Sequence, residues 1–138
     1  MATTRTGSIT FEANGQEATC HFSYSASLIA LGTFAAAIQT YSVAEISEYS
    51  YTETENDPNL TPATGTEALQ FMAIIKMLKP SGQIGTQQIS IPAPDPDIFD
   101  FIDGAGYRVK DSVGISIAAA YSTLMGATYT FERGWLVS

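Results

Sequence analysis

A nearly unbroken apolar run in the middle of the chain, ALQFMAIIKMLK at Ala68–Lys79, constrains the fold most. As a helix it has a complete apolar stripe at Phe71, Ile74, Ile75 and Leu78, and as a strand it has apolar residues on both faces. Periodicity does not separate the two for a short apolar run. The turn residues Pro80-Ser81-Gly82 and the alternating segment Gln87–Ile91 favour an antiparallel hairpin. We therefore expect Ala68–Lys79 to be a strand buried on both faces.

Three prolines, Pro92, Pro94 and Pro96, follow this hairpin. Proline has no N–H donor and biases the residue before it towards extended backbone, so the second strand should end here. Asp95 or Asp97 then offers a side-chain cap for a short helical turn. We expect that turn to continue through Phe101 and to stop before the glycines at 104 and 106.

The N-terminal segment predicts a hairpin followed by a helix. Ser8–Glu12 and Glu17–Tyr24 alternate in polarity on either side of Asn14-Gly15, the strongest short hairpin signal. Ser25 or Ser27 is predicted to cap an Ala-rich helix over Leu28–Tyr41.

The C-terminal segment predicts a second helix and a last strand. Tyr107–Val109 reads as a short extended piece, and Asp111 or Ser112 as the cap of a helix over Val113–Met125 that ends at Gly126. The closing strand, Thr128–Val137, should place five residues on one face: Tyr129, Phe131, Arg133, Trp135 and Val137.

Together these elements predict one α+β domain over residues 1–138. It should contain an antiparallel sheet or sheet pair of about five to six strands, with the Ala-rich helix and the second helix packed on it. A chain of this length buries roughly two-thirds of its unfolded surface, enough for a single core.

A polar excursion at about residues 44–66 does not fit a core strand. Ala44–Glu55 is β-prone but polar on both faces, and Asn56–Thr66 reads as a loop with two prolines. Such a strand is an edge strand, a projecting hairpin arm, or a surface completed by another chain.

Composition limits the classes of function. With 14 acidic and 6 basic residues the formal net charge is −8, which argues against unaided binding to nucleic acid or anionic membrane. Charged residues make up only 14% of the chain, against roughly 25% in typical domains. Such a surface suits a protein that is packed against neighbours, and a Thr-rich β protein has the same composition.

The sequence contains no recognisable catalytic or metal constellation. His21 is the only histidine, and there is no G-x-S-x-G motif. The four aspartates between 95 and 103 lack the EF-hand spacing, and the single Cys20 excludes an intrachain disulfide and a cysteine-only zinc site. We expect no catalytic residue, no cofactor, no metal and no small-molecule substrate. The N-terminus shows no apolar secretory signal.

The order of these elements resembles that of small virion proteins of tailed bacteriophages and cyanophages. The segments that carry the resemblance are Ile89-Ser90-Ile91-Pro92-Ala93-Pro94 and the strand Phe131–Trp135. The resemblance implies a non-enzymatic structural protein, made in the host cytoplasm and present in many copies in the virion.

Two structural roles and one binding role follow as hypotheses. The first is a capsid cement or decoration protein that stabilises the shell of major capsid protein. The alternative is a tail-tube or minor tail protein that forms rings, and the third is a small carbohydrate- or ligand-binding module built on Trp135. The expected partners are copies of the chain and other virion proteins, without direct contact to nucleic acid or membrane. Interfaces enrich Tyr, Trp and Arg, and the candidate interface residues are Tyr49, Tyr51, Glu53, Glu55, Asp57, Phe131, Arg133 and Trp135.

Overall fold

The computed structural model describes residues 3–24, 28–55, 65–66, 72–102, 104 and 106–137. Within these ranges, two antiparallel sheets and two helices confirm the predicted α+β class, although the nine strands described exceed the expected five to six. The strands and helices, in chain order, are β1 Thr3–Ala13, β2 Gln16–Tyr24, α1 Leu28–Thr40, β3 Glu45–Glu55, β4 Gly65–Thr66, β5 Met72–Leu78, β6 Thr86–Pro92, β7 Phe99–Ile102, β8 Gly106–Val109, α2 Asp111–Met125 and β9 Thr130–Val137.

Each half of the chain forms its own sheet. The N-terminal sheet has the strand order β3-β1-β2-β4, and the C-terminal sheet has the order β6-β5-β9-β8-β7. β3 is therefore an edge strand, as one of the three predicted alternatives had it. The loop expected at Asn56–Thr66 is wrong for its last two residues, because Gly65–Thr66 pairs with β2 as strand β4. Residues 56–64 and the cap expected at Ser25 or Ser27 lie outside the described residues.

The N-terminal hairpin forms as predicted. Ala13 pairs with Gln16 across a two-residue turn in which Asn14 and Gly15 have φ of 53° and 78°. Two consecutive positive φ values define the turn that matches the right-handed twist of paired strands, and Asn-Gly adopts them at the lowest cost.

The two helices and the inner faces of both sheets share one core. α1 contributes Leu31, Phe34 and Ile38, and α2 contributes Ile117 and Tyr121, all without exposed surface. The ring of Tyr121 lies 5.6 Å from that of Phe34 and 4.9 Å from that of Tyr129. No helix within the described ranges is long and apolar enough to cross a membrane.

The C-terminal end of α2 is as predicted, whereas its N-terminal cap is not. Gly126 ends the helix in the left-handed conformation, with φ of 70°, as expected. The predicted cap at Asp111 or Ser112 is wrong, because Lys110 occupies the cap position and makes no side-chain cap hydrogen bond. Gly114 allows close packing of α2 on β9, since a Cβ there would overlap the Phe131 ring.

The central run is a strand, not a helix, where the structure describes it. β5 pairs antiparallel with β6 through Ile75 and Ile89, which confirms the predicted hairpin. Burial on both faces is wrong: Ala73, Ile75 and Met77 are buried, whereas the residues between them are partly exposed. The core lies against only one face of the sheet. Residues 68–71 lie outside the described part.

The proline-rich segment forms the predicted turn and then a strand that sequence reading missed. The Asp97 amide donates to Asp95 Oδ1 at 2.9 Å, which caps a short 3₁₀ turn at Pro96–Ile98. The expected continuation through Phe101 is wrong, because Phe99–Ile102 pairs with β8 around the turn at Gly104. A tertiary partner outside the local sequence decides this conformation.

A short junction ties the two sheets together. The Val43 amide donates to the Ala93 carbonyl at 2.9 Å, beside an isolated bridge between Ser42 and Pro94. The Ser42 hydroxyl donates to the Pro92 carbonyl and accepts from the Ala44 amide at 3.0 Å. The hydroxyl thus satisfies the Pro92 carbonyl at the end of β6.

Candidate interface on the C-terminal sheet

The predicted interface residues fall on two different sheets. Tyr49, Tyr51, Glu53 and Glu55 belong to β3 of the N-terminal sheet, and Phe131, Arg133 and Trp135 belong to β9 of the C-terminal sheet. Asp57 and the side chains of 51–55 lie outside what the structure describes. The topology therefore places the seven of these residues whose backbone is described on two separate sheets.

A bulge in β3 changes which of its residues face the core. Phe11 pairs with Ile46 and Ile9 pairs with Tyr49, so Ser47 is the extra residue. Ile46 and Tyr49 consequently share the core-facing side, although strict alternation would separate them. The Tyr49 hydroxyl lies 3.3 Å from where a Cβ on Gly32 of α1 would stand, and the side chain is 47% exposed. Tyr49 thus covers the rim of the core.

A second bulge, in β9, separates Phe131 from Arg133 and Trp135. Met77 pairs with Phe131 and Lys76 with Arg133, so Glu132 is the extra residue. Phe131 shares the face of buried Met77 and packs on α2. The prediction that Phe131 lies on the same face as Arg133 and Trp135 is therefore wrong. Arg133 and Trp135 remain together on the opposite face.

Trp135 lies in the middle of a row that crosses all five strands of the C-terminal sheet. The register aligns, from one edge to the other, Ser90, Ile74, Trp135, Arg108 and Asp100. Directly opposed residues of antiparallel strands share a face, so these five side chains belong to the face turned away from the core. We call this surface, with Lys76 and Arg133 of the next row, the outer Trp135 face.

Two arginines flank the half-buried indole. The Arg133 guanidinium carbon lies 5.2 Å from the centre of the Trp135 ring, a cation–π contact, and Arg108 is the cross-strand partner of Trp135. Lys76 Nζ is 3.6 Å from Glu132 Oε2. Within the described residues neither guanidinium forms an ion pair, so both charges are available to a partner.

The strands beside Trp135 part to leave a cleft. In the described part of the chain β8 and β9 pair only through Arg108 and Trp135, whereas β5 and β9 pair along most of their length. The cleft has a volume of about 550 Å³ and its polar lining includes Arg108, Asp111, Glu132 and Arg133. The cleft thus brings apolar and charged side chains together beside Trp135.

The corresponding face of the N-terminal sheet has a different character. It carries Ser, Thr and Glu, for example the hydrogen-bonded pair Thr10 and Thr19, 3.1 Å apart. His21 is exposed there, opposite Ser8 in the register, and no hydrogen bond joins the two among the described contacts. The described residues contain no cluster of three or more potential metal ligands.

The core holds one polar group that the sequence did not single out. Tyr121 is fully buried, and its hydroxyl has no hydrogen-bond partner among the described residues. Burial, with a smaller contribution from nearby Tyr129, raises the pKa of the Tyr121 phenol well above its usual value. Burial also raises the pKa of Tyr129.

Sequence reading missed Arg108 as an interface residue. It lies in a four-residue strand whose partner was not predicted, and only the register across β9 brings it to Trp135. The sequence of this short strand gave no local signal that distinguished the face of Arg108 from the face of its exposed neighbour Tyr107.

No protein family, curated protein or solved structure matches the chain. Function therefore has to be argued from the surface itself.

Proposed function

We propose that the protein is a non-enzymatic structural subunit of a virion that binds its neighbours through the outer Trp135 face. The observation that carries the proposal is the pair of ion-pair-free arginines beside a half-buried tryptophan on a sheet face that the core does not cover. Trp and Arg are the residues most enriched at the energetic centres of protein interfaces.

The virion setting follows from the resemblance of the element order to phage structural proteins. Within that setting a capsid cement or decoration protein is the simplest role, because it needs only one surface that binds the major capsid protein. The acidic net charge of −8 is compatible with a position away from packaged nucleic acid.

A ring-forming tail protein is the second candidate, and one observation favours it. β3 is an eleven-residue edge strand, so the N-terminal sheet ends in a long row of backbone donors and acceptors. A second subunit can extend a sheet across such an edge.

The carbohydrate-binding alternative is less well supported by the geometry. Sugar modules use an open aromatic ring as a platform, whereas Arg133 lies over the ring of Trp135. The guanidinium would have to leave its cation–π contact before a sugar could stack on that face.

Binding to particles tests the proposal. Purified protein is mixed with empty capsids, and with tail tubes in a parallel sample, and co-sedimentation is measured as a function of concentration. Trp135→Ala should weaken binding about thirtyfold, the effect of losing a hot-spot residue worth about 2 kcal/mol.

The matched control is Phe101→Ala. Phe101 is an aromatic residue of the same sheet and is 65% exposed. It pairs with Tyr107, one residue along from the pair Asp100 and Arg108, so its side chain lies on the opposite face from Trp135. Binding that survives Trp135→Ala, or that Phe101→Ala weakens equally, would refute the outer Trp135 face as the contact surface. Absence of the protein from purified particles would refute the virion role itself.

A further inference from the structure

We propose that the outer Trp135 face binds a second copy of this chain, through four glutamates at one end of the N-terminal sheet. The inference rests on the proposed function, because it names the partner of the same surface. It starts from a separation of charge between the two halves of the molecule.

The charges are divided unequally along the chain. Eight of the 14 acidic side chains, but one of the six basic side chains, lie in the first 70 residues. Since the first half forms the N-terminal sheet, that sheet has the large acidic excess, whereas the second half, with six acidic and five basic side chains, is nearly balanced.

The acidic surface is a row of directly opposed carboxylates. The register aligns Glu45, Glu12 and Glu17 on the neighbouring strands β3, β1 and β2. Glu48 is exposed in the adjacent row, opposite Thr10. We call these four residues the glutamate row. None of them forms an ion pair within the described residues.

Directly opposed like charges destabilise a sheet, so the free subunit bears a cost that a cationic partner would remove. The outer Trp135 face supplies such a partner through Arg108 and Arg133, neither of which forms an ion pair within the described residues. Lys76 of the same face is paired with Glu132, and Asp100 lies opposite Arg108 at one edge of the sheet. Arginine binds carboxylates through two parallel hydrogen bonds, which gives the contact geometric specificity as well as attraction.

The two surfaces lie on different sheets of the molecule, so one patch of a subunit binds a different patch of its partner. If the same two subunits also make the reciprocal contact, the product is a closed two-fold pair. If they do not, one patch stays free at each end and the contact propagates into a ring or a filament.

Sedimentation of the purified full-length chain tests the proposal. We expect association at about 0.1 M salt, where the Debye length is about 10 Å, and dissociation at about 1 M, where it is about 3 Å. Arg108→Gln with Arg133→Gln should weaken association at least tenfold. The matched control, Ser81→Glu with Gln83→Glu in the exposed turn after β5, lowers the net charge by the same two units and should leave association unchanged.

A mixing experiment tests the pairing of the two surfaces directly. Arg108→Glu with Arg133→Glu makes both patches acidic, and replacing all four residues of the glutamate row with lysine makes both basic, so neither variant should associate alone. Mixed in equal amounts, they restore opposite charges at every contact and should associate. Restoration also shows that both variants are folded.

Three results would overturn the inference: a wild-type chain that stays monomeric at low salt, association that survives the loss of both arginines, or a mixture that stays dissociated. If Trp135-dependent binding to particles persists in any of these cases, the proposed function stands and the partner of the face is another virion protein. If particle binding is also absent, both proposals fail.

Discussion

The two sheets are built alike on the inside and differently on the outside. Each alternates buried apolar residues towards the common core, such as Ile9 and Ile75. On its other face the N-terminal sheet is polar and acidic, whereas the C-terminal sheet has Ile74 and Trp135 among charged side chains of both signs. Inner faces are selected for packing, so the two sheets differ in chemistry on their outer faces, and it is there that we propose a partner binds.

The largest expected effect compares two adjacent isoleucines of β5. Ile75 is fully buried and Ile74 is half-buried on the outer Trp135 face. Ile75→Ala should lower the free energy of unfolding by about 2 to 5 kcal/mol, because it leaves a cavity in the core. Ile74→Ala should lower it by about 1 kcal/mol or less in the free subunit.

Chemical denaturation of both variants gives these values from the shift in midpoint. Equal losses would show that the outer face is as well packed as the inner one, and the comparison between the two faces would then break down.

A change of intermediate size in the free energy of unfolding is expected from the core that the two sheets share. Tyr121→Phe removes a buried hydroxyl without a partner among the described residues and should raise the free energy of unfolding by about 1 kcal/mol. In the unfolded chain tyrosine loses its proton from about pH 10, whereas burial raises the pKa of Tyr121 in the folded chain. Stability should therefore fall as the pH rises through 10, and less steeply in Tyr121→Phe.

Thermal unfolding between about pH 8 and pH 11 measures this dependence. Tyr129→Phe should also make the fall of stability with rising pH less steep, since burial raises the pKa of Tyr129 as well. A slope identical to wild type in Tyr121→Phe would contradict the assignment.

The smallest expected changes in stability come from single charges, and they should have opposite signs on the two sheets. Glu12→Gln removes the middle charge of the glutamate row and should raise stability by about 0.2 to 1 kcal/mol. Glu132→Gln removes the partner of Lys76 and should lower stability by less than about 1 kcal/mol. Both changes should shrink at high salt, which screens exposed charges. Changes of the same sign would show that the two outer faces do not differ electrostatically.

Local signals sufficed for elements that short sequence motifs specify. Asn14-Gly15 fixed the first hairpin, Asp95 the short turn, and Gly126 the end of the second helix. In each case the decisive backbone conformation involves residues that are adjacent in sequence.

The faces of β3 and β9 were not predictable in the same way. An extra residue at Ser47 and another at Glu132 shift the alternation, and neither residue type announces a bulge. As a result Phe131 faces the core and Tyr49 its rim. The candidate interface was predicted only at Arg133 and Trp135, because the strand that brings Arg108 to them pairs across distant sequence.

The junction at Ser42 has a mechanical consequence. Hydrogen bonds between the Ser42–Ala44 segment and the Pro92–Ala93 segment clamp the start of β3 to the end of β6. A pull applied to one sheet is therefore transmitted to the other through this clamp as well as through the shared core. A subunit gripped by neighbours at both sheets would carry tension as a single rigid link.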